Sequence, residues 1–386
     1  MNWPLNIDNF TKKDRQNVCD FILDKNNRLT QGSKVKEFEQ KMSEFIGSKY
    51  SVFVSNGSAA NSILASYNKD FNNKKYVVLP STTWSTSCSP WIREGFIPIF
   101  VDISTEDFSI DKDSLISILQ NYSNEISCIF PTSLIGYTPD IGFYKNISQK
   151  YGVEVMFDNC ENTFGEYKNK NISSYFTSTT STYFGHQLQS VEGGFIFTNK
   201  QEEYEKFLMY RNHGMARSLS AYNLKTDSIS NPQVDPLFDF NILGNNYRSS
   251  EINAVFGLMD LQRAEDYKCK RLELFNIFKN NLDKEKFYLP KTRENCLDIN
   301  FCLPIICSSK EIKNKCLDFC KKNNIEYRPI ISGFLGYQTA FKKFFDKKID
   351  LYKNSIKLHD YGFYVGLFSK LEKEKIENLT EIFNNI

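Results

Sequence analysis

The chain has 386 residues, enough for a large domain and a smaller one. Hydrophobic residues make up 41% and charged residues 24%, and the net charge is +2, so no strong basic field suits nucleic acid as the main partner. No apolar run approaches the ~18 residues of a membrane span, and residues 1–8 lack the basic and apolar regions of a secretory signal. We therefore expect a cytoplasmic protein.

The ten cysteines do not form a metal-binding pattern. No C-x-x-C or C-x-C pair occurs, whereas zinc and iron–sulfur sites usually show closely spaced pairs. We expect no metal, and buried free thiols that act as small apolar residues. Because six cysteines follow residue 268, an iron–sulfur cluster stays an alternative.

The first half of the chain alternates between helical and strand patterns. Apolar residues at helical spacing predict a helix over 33–46, with Ser33 as its N-cap. Short apolar runs predict buried strands at 51–54, 76–79, 97–101, 126–130 and 153–157, separated by helical stretches such as 58–68, 112–120 and 139–151. This alternation predicts an α/β fold whose largely parallel sheet is covered on both faces, with functional groups at the carboxyl ends of the strands.

The pattern changes near residue 255. A long charged helix at 250–283 is followed by a strand at 300–306, a helix at 309–323 and a final helix at 370–384. We predict a large domain over 1–255 and a smaller C-terminal α/β domain over 256–386.

Three groups of polar or aromatic residues follow predicted strands. After the first strand, Gly57 and Ser58 open a helix whose free N–H groups can receive a phosphate, although a plain structural turn fits equally well. Trp84 follows the second strand and, taken alone, is a core or interface residue. Asp158 and Glu161 follow the fifth strand and, taken alone, favour a helix N-cap with a first-turn acid.

Together these groups resemble the DegT/DnrJ/EryC1/StrS family of sugar aminotransferases, which are fold-type I enzymes that use pyridoxal phosphate. The resemblance runs from residue 32 nearly to the end, through motifs at 32–39, 47–50, 55–60, 96–103, 157–161, 192–194 and 246–251. It implies a large domain with a mostly parallel seven-stranded sheet between helices, plus a smaller C-terminal α/β domain.

The resemblance also implies how the cofactor is held. The implied contacts are Gly57, Ser58 and Ser181 at the cofactor phosphate, Trp84 on the ring face, Asp158 at the ring nitrogen, and Glu161 near the 3-hydroxyl of the cofactor ring. Asn246 is implied to reach the phosphate of the neighbouring subunit's cofactor. The expected assembly is then a homodimer with shared active sites.

His186 stands where the family has its cofactor-binding lysine. A lysine would hold the cofactor as a Schiff base, because a primary amine condenses with an aldehyde. An imidazole cannot form that bond, but it titrates near neutrality and moves protons. With residues 158–161, 185–187, 328–330 and 362–366, this histidine resembles the branch that removes the 3-hydroxyl of nucleotide-linked 4-keto-6-deoxysugars.

The branch implies a reaction in two halves. L-Glutamate first converts pyridoxal phosphate into pyridoxamine phosphate and leaves as 2-oxoglutarate. The aminated cofactor then acts on the 4-keto sugar, which loses its 3-hydroxyl, and hydrolysis releases ammonia and a 3-deoxy-4-keto sugar. His186 would be the catalytic acid and base, a role that is typically worth ~10²–10⁴-fold in rate. The branch points to a GDP-linked sugar, either a hexose or a heptose.

Other assignments stay open at this stage. His213 can contact cofactor or substrate, or satisfy backbone groups at a helix end, and the fork of Arg328 suits a carboxylate or the substrate. We expect His359 to be structural. The alternative functions are an iron–sulfur-dependent CDP-sugar 3-dehydrase, a sugar 4-aminotransferase whose lysine is replaced by histidine, and a non-enzymatic binding protein.

Overall fold

The computed structural model describes residues 2–224 and 233–386. Within these residues the α-helices are α1 Lys12–Leu23, α2 Ser33–Ile46, α3 Gly57–Phe71, α4 Ser85–Arg93, α5 Lys112–Tyr122, α6 Ile141–Tyr151, α7 Gln201–Arg211, α8 Arg217–Ser220, α9 Glu251–Leu261, α10 Ala264–Asn281, α11 Lys310–Lys322, α12 Lys353–Tyr361 and α13 Lys373–Asn384.

The strands of the same residues are β1 Tyr50–Val54, β2 Tyr76–Pro80, β3 Ile97–Val101, β4 Ile126–Ile129, β5 Glu154–Val155, β6 Phe157–Asp158, β7 Glu166–Tyr167, β8 Lys170–Asn171, β9 Ser178–Ser181, β10 Gly194–Thr198, β11 Phe287–Tyr288, β12 Cys296–Leu297, β13 Cys302–Cys307, β14 Tyr327–Arg328 and β15 Gly362–Gly366. All five predicted strands are present, although the fifth is interrupted at Met156.

The main sheet contains seven strands among the described residues. Its order is β3-β2-β4-β5/β6-β9-β10-β1, where β5 pairs with β4, and β6 continues the same strand and pairs with β9. A parallel bridge between Thr132 and Asp158 joins the two halves. β10 runs antiparallel to β9 and β1, while the other neighbouring pairs are parallel. The predicted seven-stranded, mostly parallel sheet between helices is confirmed.

Strand β1 shows how helices come to cover both faces of this sheet. Its side chains alternate between the faces, as the twofold period of a strand requires. Val52 and Val54 belong to the apolar cluster that includes α3, α4 and α7, whereas Phe53 packs with α2 on the other face. The apolar runs read from the sequence are therefore strands buried on both sides.

Helix α2 begins where the spacing predicts, but its predicted cap is wrong. Ser33 is the first helical residue, and the N-cap Gly32 has no side chain to contribute. The carboxylate of Glu251, from the start of α9, accepts hydrogen bonds from the N–H groups of Gly32 (2.9 Å), Lys34 (2.9 Å) and Val35 (2.7 Å). A residue distant in sequence thus satisfies the free N–H groups at this helix end.

A second, smaller sheet follows in the order β11-β13-β15-β14, and its neighbouring strands are antiparallel. It shares an apolar core with α10, α11, α12 and α13. The predicted domain boundary between residues 255 and 256 falls within α9 and stays a prediction. None of the described helices combines the length and apolarity needed to cross a lipid bilayer.

The single helix predicted over 250–283 is wrong, because the chain forms α9 and α10 with a break at residues 262–263. Asp260, in the last turn of α9, is fully buried. Its carboxylate accepts from the Gln189 N–H (2.8 Å) and the Tyr267 hydroxyl (3.0 Å). These tertiary bonds hold the end of α9 and the start of α10 in place around the break.

Residues 3–9, which we call the N-terminal strap, join the smaller sheet to the connection between β9 and β10. Trp3 Nε1 donates to the Gly366 carbonyl at the end of β15 (2.9 Å). Three residues later, Asn6 Nδ2 donates to the Phe184 carbonyl (2.8 Å). The strap therefore connects the smaller sheet to the loop that carries His186.

Candidate active site

Asp158 ends strand β6, and the residue is only 3% exposed. One oxygen accepts from Asn61 Nδ2 (2.9 Å) on α3 and from the Ser87 hydroxyl (2.6 Å) on α4, and the other accepts from the Cys160 N–H (3.0 Å). Thr179 donates to Asn61 Oδ1 (2.6 Å) and so fixes the amide orientation. A buried carboxylate needs donors of this kind, and here they orient it while lone pairs remain for a further donor.

The start of α3 forms a cradle suited to an anion. The side chain of the N-cap Asn56 accepts from the Ala59 N–H. The N–H groups of Gly57 and Ser58 come earlier, where the helix offers no carbonyl of its own for them to donate to. An ideal Cβ on Gly57 would lie 2.8 Å from Cys160 Sγ and 3.1 Å from Ser181 Cβ. The bare backbone of Gly57, the helix start and Ser181 therefore meet at one point.

Trp84 lies at the N-cap of α4 and is 55% exposed. Two hydrogen bonds place this helix start beside the other candidates: Ser58 Oγ donates to Thr86 Oγ1 (2.9 Å), and Ser87 donates to Asp158. A core role for Trp84 is therefore wrong. Its ring is free to cover a ligand at the same edge of the sheet.

A turn follows Asp158, so the alternative of a helix N-cap is wrong there. Glu161 lies in this turn, and its Oε2 accepts from the Ile135 N–H (2.8 Å). Burial raises the pKa of Glu161 to about 8; the Ile135 bond opposes this rise, and the charge of Asp158 adds to it. Glu161 is therefore protonated at neutral pH and can donate a hydrogen bond.

His186 lies in the loop that joins β9 to β10. Its ring centroid is 5.3 Å from that of Phe301 and 6.1 Å from that of Tyr183. Its Nδ1 is buried and has no hydrogen-bond partner in the part of the chain that the structure describes. Burial lowers the pKa of His186 to about 4, against the charge of Asp158 and the backbone of Cys160. The imidazole is therefore neutral near pH 7, and Nδ1 can accept a proton.

The structure brings seven predicted residues to this edge: Gly57, Ser58, Trp84, Asp158, Glu161, Ser181 and His186. The predicted gathering of side chains at the carboxyl ends of the strands is thus observed. Their individual roles remain predictions.

Asn246 and His213 lie in a neighbouring region. Asn246 is exposed and pairs through its backbone with Asn212, and the His213 N–H donates to the Asn245 carbonyl (2.8 Å). Asn246 also lines a cavity of about 320 Å³ together with Ser55, at the end of β1. Binding roles for these two residues stay predictions.

Arg328 is exposed on β14, opposite Tyr364 of β15. The Tyr364 ring lies 6.1 Å from that of Phe301, which in turn contacts His186. The smaller sheet thus presents Arg328 at the rim of the candidate site, where a role in substrate binding stays a prediction.

His359 has structural partners, as predicted. Its Nδ1 accepts from the Phe334 N–H (3.4 Å), and its ring packs at 5.1 Å from that of Tyr337.

The cysteines divide by position. The buried ones, as predicted, are Cys88, Cys128, Cys302, Cys307, Cys316 and Cys320, whereas Cys19 and Cys269 are exposed. Within residues 2–224 and 233–386 no cluster of three or more His, Cys, Asp or Glu side chains is arranged to hold a metal ion.

Sequence reasoning missed four residues that shape this site. Asn61 lies one helical turn after Gly57, and Ser87 three residues after Trp84, so their positions on α3 and α4 are signals that could have found them. Phe301 and Arg271 come from distant parts of the chain, and no local pattern marks them.

A model of the DegT/DnrJ/EryC1/StrS aminotransferase family matches residues 9–384. The chain belongs to this family. It is similar to the GDP-4-keto-6-deoxy-D-mannose 3-dehydratase of Yersinia pseudotuberculosis, with 29% identity over 391 residues that cover 99% of this chain and 98% of that relative. The enzyme of the same name from Escherichia coli O55:H7 is 27% identical over 394 residues, 99% of each chain.

The fold agrees with this membership. A solved structure of the E. coli GDP-4-keto-6-deoxy-D-mannose-3-dehydratase with bound hydrated PLP superposes with a TM-score of 0.87 at 24% identity, covering 99% of each chain. The predicted fold-type I architecture is confirmed.

Proposed function

We propose that this chain is a pyridoxal-phosphate-dependent 3-dehydratase of a nucleotide-linked 4-keto-6-deoxysugar, with GDP as the nucleotide. The observation that carries the proposal is the neutral, half-buried imidazole of His186, with a free Nδ1, beside Asp158 and the Gly57 cradle. The names of the two similar enzymes support the reaction and the nucleotide.

The residues present fit this cofactor. An added Cβ at Gly57 would clash with Cys160 Sγ at 2.8 Å, so only a bare backbone fits here, and the helix start and the Ser181 hydroxyl suit a phosphate. Asp158 would hold the nitrogen of the cofactor ring, and Trp84 would cover the ring face. Protonated Glu161 would donate a hydrogen bond to an oxygen such as the 3-hydroxyl of that ring. When bound, pyridoxal phosphate supplies an electron sink and carries an amino group between substrates.

His186 would act as the acid and base in this site. Nδ1 has the lone pair to accept a proton. The protonated imidazole can then give that proton to the 3-hydroxyl of the sugar, which leaves as water. Because the imidazole forms no covalent bond to an aldehyde, it stays free for this proton transfer throughout. L-Glutamate would be the amino donor, and the products would be 2-oxoglutarate, ammonia and a 3-deoxy-4-keto sugar.

The test is turnover by the full chain with pyridoxal phosphate, L-glutamate and a panel of 4-keto-6-deoxy nucleotide sugars. Ammonia, 2-oxoglutarate and a sugar that has lost its 3-hydroxyl oxygen, identified by mass spectrometry over many turnovers, are the expected products. His186→Asn, which keeps a polar side chain but cannot carry the proton, should reduce the rate by about 10²-fold or more.

Other products would replace the proposal. A 4-amino sugar without loss of oxygen would indicate an aminotransferase, and no turnover with any sugar would indicate a binding protein. His186→Lys should shift the product towards the amino sugar, because it restores the amine that tethers the cofactor.

We further infer a homodimer with shared active sites. Apolar side chains at positions 237, 238, 240 and 243 are exposed, and Leu243 is 91% exposed. Several exposed apolar side chains within one short segment support a protein–protein interface there. It precedes Asn246, the residue for which we propose contact with the partner's cofactor.

Light scattering after gel filtration tests this inference. The native chain should have the mass of two copies, and Leu243→Asp should shift it towards one copy and weaken cofactor binding. Leu23→Asp is the matched control, because Leu23 is also highly exposed, at 80%, but lies at the end of α1. A monomeric native chain, or an unchanged Leu243→Asp dimer, would contradict the inference.

A further inference from the structure

The ring of Phe301 lies against the ring of His186, with 5.3 Å between centroids and 38° between planes. Phe301 is half-buried and immediately precedes β13, so it reaches the site from the smaller sheet. Its other neighbour is the Tyr364 ring, at 6.1 Å. Phe301 thus covers the imidazole from the side of the smaller sheet.

The backbone of Phe301 is held from two directions. Its N–H donates to the Ile135 carbonyl (3.1 Å), and its carbonyl accepts from Arg271 Nη1 (3.1 Å). Ile135 has a φ of +46° and also donates its N–H to Glu161. A strained turn is kept only where its surroundings fix it. Here that turn joins the Glu161 carboxyl to the residue packed on His186.

Arg271 is only 3% exposed, and its guanidinium donates to no carboxylate in the described part of the chain, where Asp260 acts on it only through its charge. Nη1 donates instead to the carbonyls of Asn300 (3.4 Å), Phe301 (3.1 Å) and Leu367 (2.6 Å). Burying a charge without a counter-ion is costly. The three carbonyls offset part of that cost and come from the ends of β13 and β15.

We propose that Arg271 and Phe301 are positioning residues for His186: Arg271 fixes the backbone at residue 301, and the Phe301 ring holds the imidazole in place and excludes water from it. This deepens the proposed function, because it rests on His186 as the proton carrier of that reaction.

The groups around the imidazole set the direction of the expected change. Burial lowers the pKa of His186 most, and the positive charge of Arg271 on α10 lowers it further, while Asp158 on β6 raises it. Tyr183 contacts the ring from its own loop. Removing the Phe301 ring would admit water and therefore raise the pKa towards 6.5.

The test is an NMR titration of the imidazoles in the full, cofactor-free chain with labelled histidine. Only His186, His213 and His359 give signals, and His186→Asn assigns the first. The pKa of His186 should be about 4 in the native chain and should move at least halfway to 6.5 in Phe301→Leu. Phe319→Leu is the matched control, because Phe319 is also half-buried in the smaller domain's core but lies on α11.

An unchanged titration of His186 in Phe301→Leu would overturn the proposal, as would an equal shift in Phe319→Leu. Arg271→Met gives a second measurement. The pKa of His186 should rise, and the nuclear Overhauser cross-peaks between the rings of Phe301 and His186 should weaken. If Arg271→Met does not fold, Phe301→Leu alone decides.

The turnover assay separates this inference from the proposed function. If the enzyme is active, Phe301→Leu should lower kcat about 10-fold and leave KM nearly unchanged. The acidic limb of the plot of kcat against pH should shift to higher pH, because the pKa of His186 rises. If no substrate turns over, the proposed function fails while the titration still decides whether Phe301 positions the imidazole.

Discussion

At the scale of single residues, Glu161 shows how burial selects a protonation state. Its pKa is raised from 4.5 to about 8, mainly because burial disfavours the charged carboxylate. Between these two values the unfolded chain loses a proton that the folded chain keeps. The stabilisation from Glu161 is therefore fully present below pH 4.5 and is lost as the pH rises through 8.

We predict that Glu161→Gln removes this dependence, because the amide keeps an acceptor for the Ile135 N–H and does not titrate. From pH 4.5 to 8.5 the unfolding free energy of the native chain should fall by about 4 kcal/mol relative to the variant. Urea unfolding of cofactor-free protein measures this difference. Glu377→Gln, at an exposed position of α13, should follow the native chain, and parallel curves for all three proteins would refute the prediction.

Gly57 offers a second test at this scale. In Gly57→Ala the added methyl would lie 2.8 Å from Cys160 Sγ and 3.1 Å from Ser181 Cβ, so it would narrow the proposed phosphate cradle. Titration with pyridoxal phosphate, followed by absorbance, should show about 10-fold weaker binding or more. Adding Cys160→Ala removes the closer contact and should restore part of the affinity, whereas unchanged binding in Gly57→Ala would argue against the cradle.

At the scale of secondary structure, Glu251 connects the start of α9 to the start of α2. Its buried carboxylate accepts three backbone N–H groups at that helix end, where the helix dipole also favours negative charge. No side chain of α2 itself provides a cap.

Glu251→Ala should therefore lower the unfolding free energy by about 2–3 kcal/mol, because it leaves three N–H groups without an acceptor. Glu251→Gln should cost less, since the amide oxygen still accepts. The control is Glu265→Ala, an exposed acid in the first turn of α10. Equal losses for Glu251→Ala and Glu265→Ala in chemical denaturation would rule out the capping role.

The same helix shows what could be predicted from the sequence. Its bounds follow from the spacing of apolar residues, and the strands follow from short apolar runs, because these signals are local. Its cap comes from a residue more than 200 positions away. The break between α9 and α10 was missed for the same reason, because it depends on the tertiary bonds of Asp260.

The candidate site divides in the same way. Gly57, Asp158 and His186 stand in recognisable motifs beside strand ends, so the family resemblance could place them. The partners of Asp158 on two helices and the contact between Phe301 and His186 depend on how the chain packs. No local sequence pattern predicts those contacts.

At the scale of the whole molecule, the N-terminal strap connects the smaller sheet to the loop of His186. Asn6 Nδ2 donates to the carbonyls of Phe184 (2.8 Å) and His186 (3.5 Å), and the Asn9 N–H donates to Gln189 Oε1 (3.1 Å). The position of the loop thus depends on residues far from it in sequence.

We predict that Asn6→Ala loosens the loop. Loss of these bonds should cost about 1 kcal/mol locally, so amide hydrogen exchange over 183–189 should become about 5-fold faster. Asn2→Ala, at an exposed position before the strap, should leave exchange there unchanged. Unaltered exchange over 183–189 in Asn6→Ala would show that the strap does not restrain the loop.

The antiparallel direction of β10 has a consequence for how such enzymes can diversify. Because β9 and β10 are antiparallel neighbours, the segment between them returns directly and needs no crossover helix. Its residues can therefore mutate without reordering the strands around it. A change from amine to imidazole at position 186 would then alter the chemistry of an inherited scaffold while the scaffold itself stays intact.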